Sequence, residues 1–225
     1  MNTKTLKFAF QPIVDAKTGD VFGYEALMRP GDDSPEEIIS AYAERDQLGV
    51  VEEATFFYGM RAFLDAGLEG FLFLNSFPSE NLPMSTAKKI GDLGGRELKG
   101  RLFIEILEYT NINTMAWNMK RRALISTGAS PRFAIDDFGS GKNVDVQCIN
   151  LYKPELIKID RKYISGIDSN EKNQSVVRDM IRTFHNRGIK ALAEGVETEA
   201  EYNFLKTTEV DLMQGFYIGE PKIYE

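Results

Sequence analysis

The chain of 225 residues contains a single cysteine, Cys148, and a single histidine, His185. One cysteine excludes an internal disulfide and a zinc site built from several thiolates, and it fits a reducing compartment. One histidine argues against Ser-His-Asp triads and histidine-rich metal sites. His185 follows a polar, helical pattern in which a solvated or capping role is expected. Oxygen ligands are plentiful instead, and they suit magnesium and manganese.

Long apolar runs and basic stripes are also missing. The longest apolar runs, such as Phe71-Leu72-Phe73-Leu74, are too short to span a bilayer, and the N-terminus lacks the apolar centre of a secretory signal. We therefore expect a cytoplasmic protein without membrane insertion. The net charge of -7 argues against duplex nucleic acid as a partner, because no basic surface can displace counterions from its phosphates.

No linker rich in Pro, Gly or Ser divides the chain, so we expect a single domain over residues 1–225. The hydrophobic content of 43%, with 15 Phe and 9 Tyr, is enough for a large core. The first two predicted strands cover residues 7–14 and 21–28. The six residues between them cannot hold a crossover helix, so this pair should be antiparallel.

Helical and strand patterns then alternate. Ser34 followed by Pro35 predicts a helix start, a second helical stretch covers about residues 50–66, and Thr198 with Glu201 has the spacing of a capping box. Eight strands in a chain of this length favour a closed barrel over a doubly wound sheet. The predicted fold is α/β, a single TIM-type (β/α)8 barrel with its first strand antiparallel to the rest. The remaining candidate strands cover residues 70–75, 101–106, 132–136, 156–160, 189–194 and 210–214.

Polar side chains stand at the C-terminal ends of these strands, where barrels of this type collect their functional groups. The plainest case is the apolar run that opens onto Asp136 and Asp137. Adjacent carboxylates repel unless a cation lies between them, so this pair indicates a metal. Lys158 and Asp160 are two residues apart and should share one face of their strand. The full set at strand ends is Glu25, Asn75, Glu105, Asp136, Asp137, Lys158, Asp160, Glu194 and Gln214.

Taken singly, several of these residues have ordinary explanations. Asn75 alone is better explained as the start of a turn, and Glu25 alone as a solvated strand residue. The set changes this judgement, because each ligand of a metal site needs the others. Most other acids are interpreted as helix-surface charges without a functional role, among them Glu36, Glu37, Glu52 and Glu53.

The order of these residues and their neighbours resembles the EAL-domain family of cyclic di-GMP phosphodiesterases over essentially the whole chain. The matching segments, in the family's order, are Gln11-Pro12-Ile13-Val14, Glu25-Ala26-Leu27-Met28-Arg29, Asn75, Glu105-Ile106-Leu107-Glu108, Asp136-Asp137-Phe138-Gly139-Ser140-Gly141, Lys158-Ile159-Asp160, Glu194-Gly195-Val196-Glu197 and Gln214-Gly215-Phe216.

The resemblance implies hydrolysis of one phosphodiester bond of cyclic di-GMP to linear pGpG, with two Mg²⁺ or Mn²⁺ ions in each active site. Lys158 is similar to the lysine that orients the attacking water in this family. The resemblance also implies a homodimer and leaves room for a sensor or cyclase domain elsewhere in the full protein. The metal ligands it implies are Glu25, Asn75, Glu105 and Asp136 for one ion, and Asp136, Asp137 and Glu194 for the other.

Further roles follow from the same resemblance. Arg29 is similar to a phosphate-binding arginine, whose planar fork suits a pair of phosphate oxygens. Glu197 and Gln214 would support the catalytic groups, and Glu108 would stabilise a loop. Gln11 and Asp160 would face the guanine region of the ligand. The whole substrate-binding set is Gln11, Leu27, Arg29, Asp160 and Phe216.

The chain departs from the family pattern in two places. Lys142-Asn143-Val144 follows Gly141 where the family usually has Tyr-Ser-Ser or a close variant, and Leu107 replaces the usual Thr between two glutamates. These departures keep a second function open, a non-catalytic cyclic di-GMP receptor that signals through a partner protein. A third and weaker alternative is an unrelated barrel enzyme that acts on sugar phosphates.

Overall fold

A computed structural model describes residues 6–31, 33–107, 113–139 and 146–224. Its eight strands form a closed barrel in chain order, and the first strand is antiparallel to the last. The predicted barrel with an inverted first strand is confirmed. The strands are β1 (Lys7–Asp15), β2 (Val21–Arg29), β3 (Phe71–Ser76), β4 (Leu102–Ile106), β5 (Arg132–Phe138), β6 (Leu156–Ile159), β7 (Lys190–Ala193) and β8 (Leu212–Gln214).

The helices of the described residues lie between these strands. They are α1 (Pro35–Ala43), α2 (Leu48–Ala54), α3 (Met60–Asp65), α4 (Met84–Gly94), α5 (Thr114–Ser126), α6 (Val146–Tyr152), α7 (Arg161–Ile164), α8 (Glu171–His185) and α9 (Glu199–Leu205), with a π-helical turn at Thr55–Gly59. None of them combines the length and the apolar composition that a bilayer crossing requires.

Both predicted helix starts carry the expected caps. The Ser34 hydroxyl accepts from the Glu37 amide, and the Glu37 carboxylate accepts from the Ser34 amide, which is a reciprocal capping box at α1. Thr198 and Glu201 form the same arrangement at α9. The stretch predicted at residues 50–66 instead starts at Leu48 and is interrupted by the π-helical turn, a local widening that a periodic apolar pattern does not reveal.

By their internal contacts the residues fall into two compact units. The first unit contains Glu25–Arg132 with parts of both chain ends, and the second contains Gln11–Tyr24 and Phe133–Glu220. That residues 1–225 act as a single domain stays a prediction.

In the first unit, β3 and β4 are parallel neighbours, and their register runs from Leu72 opposite Leu102 to Ser76 opposite Ile106. The rings of Phe73 and Phe103 stack between them with centroids 4.5 Å apart. Both strands are apolar runs buried on both faces, as strands of a parallel barrel must be. The polar residues at their carboxyl ends are therefore placed by a rigid core.

In the second unit, β6 pairs in parallel with β5 and β7, and β7 pairs with β8. The hairpin after β1 closes through the Asp15 amide, which donates to the Asp20 carbonyl at 2.9 Å. His185, the last residue of α8, lies 2.8 Å from the Asp211 carboxylate. This contact fits the expected structural role of the single histidine.

Candidate metal centre

The carboxyl end of β5 contains a β-bulge at the two adjacent aspartates. Ile135 lies opposite Ile157 and Phe138 lies opposite Ile159, so three steps along β5 match two steps along β6. Asp137 has a φ of 49°, a left-handed conformation that aspartate tolerates better than most residues. In a regular strand neighbouring side chains point to opposite faces. The bulge is therefore what lets Asp136 and Asp137 present their carboxylates to one place.

Lys158 lies at the centre of this group, in the middle of β6. Its ammonium is 2.8 Å from the Asp136 carboxylate and 2.7 Å from the Glu194 carboxylate. The side chain of Lys158 is 1% exposed, whereas those of Asp136 and Glu194 are 10% and 16% exposed. The ammonium is therefore shielded from water, whereas the two carboxylates that contact it remain partly exposed to solvent.

Oxygen atoms of Asp136, Asp137 and Glu194 all lie within 4.8 Å of one another. Asp136 and Glu194 contact the Lys158 ammonium and Asp137 adds a third carboxylate, so the cluster contains more carboxylates than ammonium groups. Carboxylate oxygens at this spacing are the donors that hard divalent cations prefer. The residues of the second unit therefore fit a metal ion.

The first unit contributes a further set of polar groups from β2, β3 and β4. Glu25 lies in the middle of β2 and is buried, Asn75 is the last but one residue of β3, and Glu105 is fully buried on β4. Asn75 and Glu105 are direct neighbours in the register of β3 and β4. The amide nitrogen of Asn75 donates to the Glu25 carboxylate at 3.2 Å. The three predicted ligands of this unit are thus brought together.

The amide group of Asn75 is oriented by that hydrogen bond. Because its nitrogen faces Glu25, its carbonyl oxygen Oδ1 points elsewhere. This oxygen is buried and has no hydrogen-bond partner among residues 6–31, 33–107, 113–139 and 146–224. A buried acceptor of this kind requires explanation, and coordination of a cation is one that also accounts for the neighbouring carboxylates.

Behind this set lies an ion pair that reading the sequence missed. Glu52 was expected to be a helix-surface charge, but it is buried in α2, with only 2% of its side chain exposed. Its carboxylate lies 2.6 Å from the ammonium of Lys120, a fully buried residue of α5. Burial raises the pKa of Glu52 and lowers that of Lys120, while their mutual attraction opposes both shifts.

A signal for this pair was present in the pattern of α5. Lys120 falls on the buried stripe of the helix together with Ala116, Trp117 and Leu124. A charged residue inside an apolar helical stripe needs an opposite charge nearby, since an unpaired buried ammonium is costly. Of the other three acids given the same interpretation, Glu36 and Glu37 are exposed and Glu53 is half-buried.

The glutamines and the acids that were predicted to support the site have defined partners. Gln214 donates to the Gln11 side-chain oxygen at 3.1 Å, and Gln11 in turn donates to the Gly219 carbonyl. The Glu197 carboxylate accepts from Arg161 at 2.8 Å. The Asp160 carboxylate accepts from the Lys162 amide and caps α7.

The remaining substrate-binding candidates lie near strand ends. Arg29 ends β2 and is half-buried, with its guanidinium donating to the Met28 carbonyl, and Leu27 on the same strand is also half-buried. Phe216 follows β8 and is 59% exposed. Glu108 and the segment Lys142-Asn143-Val144 lie outside the described residues.

The turn after β7 is stabilised by the carboxylate of Glu201. Besides its part in the capping box, this carboxylate accepts from the amides of Gly166 and Glu197, each at 2.8 Å. Burial raises the pKa of Glu201, but the hydrogen bonds from Gly166, Glu197 and Thr198 outweigh it and hold the pKa below its ordinary value. Glu201 is structural, as its spacing from Thr198 predicted, and it stabilises the turn that carries Glu194.

Comparison with known proteins extends over nearly the whole chain. The BlrP1 manganese/cy-diGMP complex from Klebsiella pneumoniae superimposes with a TM-score of 0.81 and 28% sequence identity, covering 97% of this chain and 56% of BlrP1. The c-di-GMP-bound form of a standalone versatile EAL protein from Vibrio cholerae O395 also reaches 0.81, at 27% identity and with 98% and 93% of the two chains covered.

Among sequence relatives, the probable cyclic di-GMP phosphodiesterase PdeN from Escherichia coli (strain K12) is 29% identical over 229 residues, which cover 95% of this chain and 43% of PdeN. Three other curated relatives match 94–96% of this chain, which spans only 27–31% of their length. The EAL domain model matches residues 1–221. This match, in a barrel whose strand ends carry the expected carboxylates, shows that the chain belongs to the EAL domain family.

Proposed function

We propose that this chain hydrolyses one phosphodiester bond of cyclic di-GMP to give linear pGpG, with two Mg²⁺ or Mn²⁺ ions as cofactors. The observation that carries the proposal is the convergence of Asp136, Asp137 and Glu194 around the buried ammonium of Lys158. The names of the relative PdeN and of the two solved structures all refer to the same dinucleotide, and family membership removes the alternative of an unrelated barrel.

The oxygen donors of both units are the proposed ligands. Bound divalent cations supply Lewis acidity at the phosphoryl group and make water acidic enough to react at neutral pH. The buried Asn75 oxygen that lacks a hydrogen-bond partner among the described residues supports this assignment in the first unit. We assign Glu25, Asn75, Glu105 and Asp136 to one ion, and Asp136, Asp137 and Glu194 to the other.

Lys158 is the proposed catalytic cation of the protein itself. An ammonium that is 1% exposed acts through a medium of low polarity, so its electrostatic effect on nearby groups is larger than at the surface. It can hold the attacking water by a hydrogen bond and stabilise the negative charge that develops on a phosphoryl oxygen. Its contacts with Asp136 and Glu194 fix its position for both tasks.

Substrate recognition is assigned to residues around the strand ends. The guanidinium of Arg29 suits two non-bridging phosphate oxygens. The ring of Phe216, largely exposed, offers a surface on which a base can stack. Glu197 and Gln214 are assigned a supporting role through their contacts with Arg161 and Gln11. The complete proposed binding set is Gln11, Leu27, Arg29, Asp160 and Phe216.

A second candidate function is a receptor that binds cyclic di-GMP without cleaving it and signals through a partner protein. Two sequence departures favour it, Leu107 and the segment Lys142-Asn143-Val144. A receptor needs few metal ligands, however, and this chain retains all of those that the family resemblance implies. Hydrolysis is therefore the function that the residues support best.

Incubation of the purified chain with cyclic di-GMP and Mn²⁺, followed by chromatography, tests the proposal. The expected result is time-dependent formation of pGpG that stops when a chelator is added. Ca²⁺, whose coordination geometry is looser, should support binding but little turnover. Binding measured by calorimetry in Ca²⁺, together with no product in Mn²⁺, would replace the enzyme by the receptor.

A further inference from the structure

The pair formed by Glu52 and Lys120 makes hydrogen bonds to one turn of the chain, the Ser76–Phe77 step that ends β3. The Glu52 carboxylate accepts from the Ser76 hydroxyl at 2.9 Å and from the Phe77 amide at 3.3 Å. The Lys120 ammonium donates to one Glu52 oxygen at 2.8 Å, to the Ser76 hydroxyl at 3.2 Å and to the Phe77 carbonyl, and it lies 2.6 Å from the other Glu52 oxygen. We call these four residues the β3 clamp.

Stability alone is a weak explanation for such a pair. Removing two charges from water costs several kcal/mol, and well-packed apolar residues in their place are often equally or more stabilising. The clamp instead provides direction, because its hydrogen bonds fix a hydroxyl, an amide and a carbonyl of consecutive residues. Apolar side chains of the same volume cannot hold polar backbone groups in one orientation.

The turn that the β3 clamp holds, Ser76–Phe77, directly follows Asn75 in the chain. Ser76 and Asn75 are consecutive in β3, so their side chains point to opposite faces of the strand. The clamp grips the outer face at Ser76, and Asn75 on the inner face contacts Glu25. The Ser76 carbonyl also accepts from the Leu107 amide at 3.1 Å, which fixes the end of β3 to the end of β4.

We propose that Glu52 and Lys120 are positioning residues for metal binding, and that they act by holding the end of β3 so that the Asn75 side-chain oxygen is aimed at a divalent cation. This inference rests on the proposed function. It assigns a role to two residues that lie on helices and touch none of the proposed ligands through their own side chains. Residues that orient metal ligands commonly change metal affinity by about 10- to 100-fold when they are replaced.

The test measures Mn²⁺ binding by titration calorimetry, with turnover of cyclic di-GMP as a second readout. Lys120→Met removes the cation, and Ser76→Ala removes the gripped hydroxyl without leaving a buried charge. We expect Lys120→Met to weaken Mn²⁺ binding by about 10- to 100-fold and Ser76→Ala to weaken it by less. The paired variant Glu52→Leu with Lys120→Met restores charge balance, so its stability should recover while its metal affinity stays low.

Introducing Lys120→Met into a chain that already carries Asn75→Ala distinguishes an effect on the position of Asn75 from an effect on stability. If the clamp acts through Asn75, Lys120→Met should change the remaining Mn²⁺ affinity by no more than about twofold in that background, the usual scatter of independent effects. Its effect on thermal unfolding should persist, because the clamp contacts are still lost.

Thr55→Val is the matched control, since Thr55 is buried on the same helical stretch and its hydroxyl donates to the Val51 carbonyl of that stretch. It should lower stability without changing Mn²⁺ affinity. Clamp variants that keep full Mn²⁺ affinity, or a Lys120→Met effect of equal size with and without Asn75, would overturn the positioning role alone. A parent chain that binds no Mn²⁺ and forms no pGpG would overturn the proposed function and the positioning role with it.

Discussion

Two buried lysines, one in each compact unit, contact carboxylates that differ in number and in exposure to solvent. Lys120 and Glu52 form a pair of balanced charge in which neither side chain exposes more than 2% of its surface. Lys158 is equally buried, but it faces Asp136 and Glu194, whose side chains are 10% and 16% exposed. Asp137 adds a third carboxylate to that group and is exposed.

The difference in charge balance and exposure indicates a difference in function. A sealed pair with matched charges has no capacity for another ion, and it can only hold the protein in one arrangement. A cluster with surplus carboxylates and partial exposure attracts a divalent cation and can exchange it with solvent. The same residue types thus build a clamp in the first unit and a candidate catalytic cluster in the second.

The largest effect should come from removing a carboxylate from the partly exposed cluster of Asp136, Asp137 and Glu194, which we call the open cluster. Asp136→Asn should abolish turnover while leaving the fold intact, because the amide keeps the shape of the side chain and removes its charge. Product formation by chromatography and near-UV circular dichroism check the two parts. Glu25→Ala should behave in the same way. If a variant turns over at the parent rate, the residue that was replaced is not a metal ligand.

Replacing the lysine of the open cluster should have the next largest effect. Lys158→Met removes a cation proposed to stabilise the developing charge, and we expect kcat at saturating Mn²⁺ to fall by about 100- to 1,000-fold. Thermal unfolding with Mn²⁺ present should change little, since bound metal offsets the lost positive charge. A large loss of stability with a normal kcat would show that Lys158 is a clamp like Lys120.

Replacing Lys120, the lysine of the sealed pair with Glu52, should instead lower the stability of the fold. Lys120→Met leaves Glu52 buried without its cation, which should lower the free energy of unfolding by about 3–5 kcal/mol. Adding Glu52→Leu should recover most of this loss. Urea denaturation of the two variants and the parent measures both effects. If Lys120→Met is as stable as the parent, the buried pair contributes nothing that water or packing cannot replace.

The sequence predicted the barrel, its inverted first strand and the capped starts of α1 and α9, because each depends on local spacing and turn chemistry. It also placed most of the polar groups at strand ends, whereas Glu25 lies in the middle of β2. It missed the clamp, since Glu52 and Lys120 are separated by 68 positions and each resembles a surface charge when read alone. It missed the bulge at Asp137 too, because one shift of register leaves no periodic signal.

Glu201 offers a third way to hold a buried charge, and it should give the smallest effect. Its carboxylate is bound by backbone amides, and its pKa lies below the ordinary value of 4.5. Such a group stabilises the fold above pH 4.5, and this contribution is lost as the pH falls through its lower folded pKa. Glu201→Gln should therefore reduce stability by about 1–3 kcal/mol at pH 7 and by less in acid. Thermal unfolding from pH 3 to 7 gives the result, and an equal loss at both ends of that range would mean that the carboxylate's charge is not what stabilises the turn after β7.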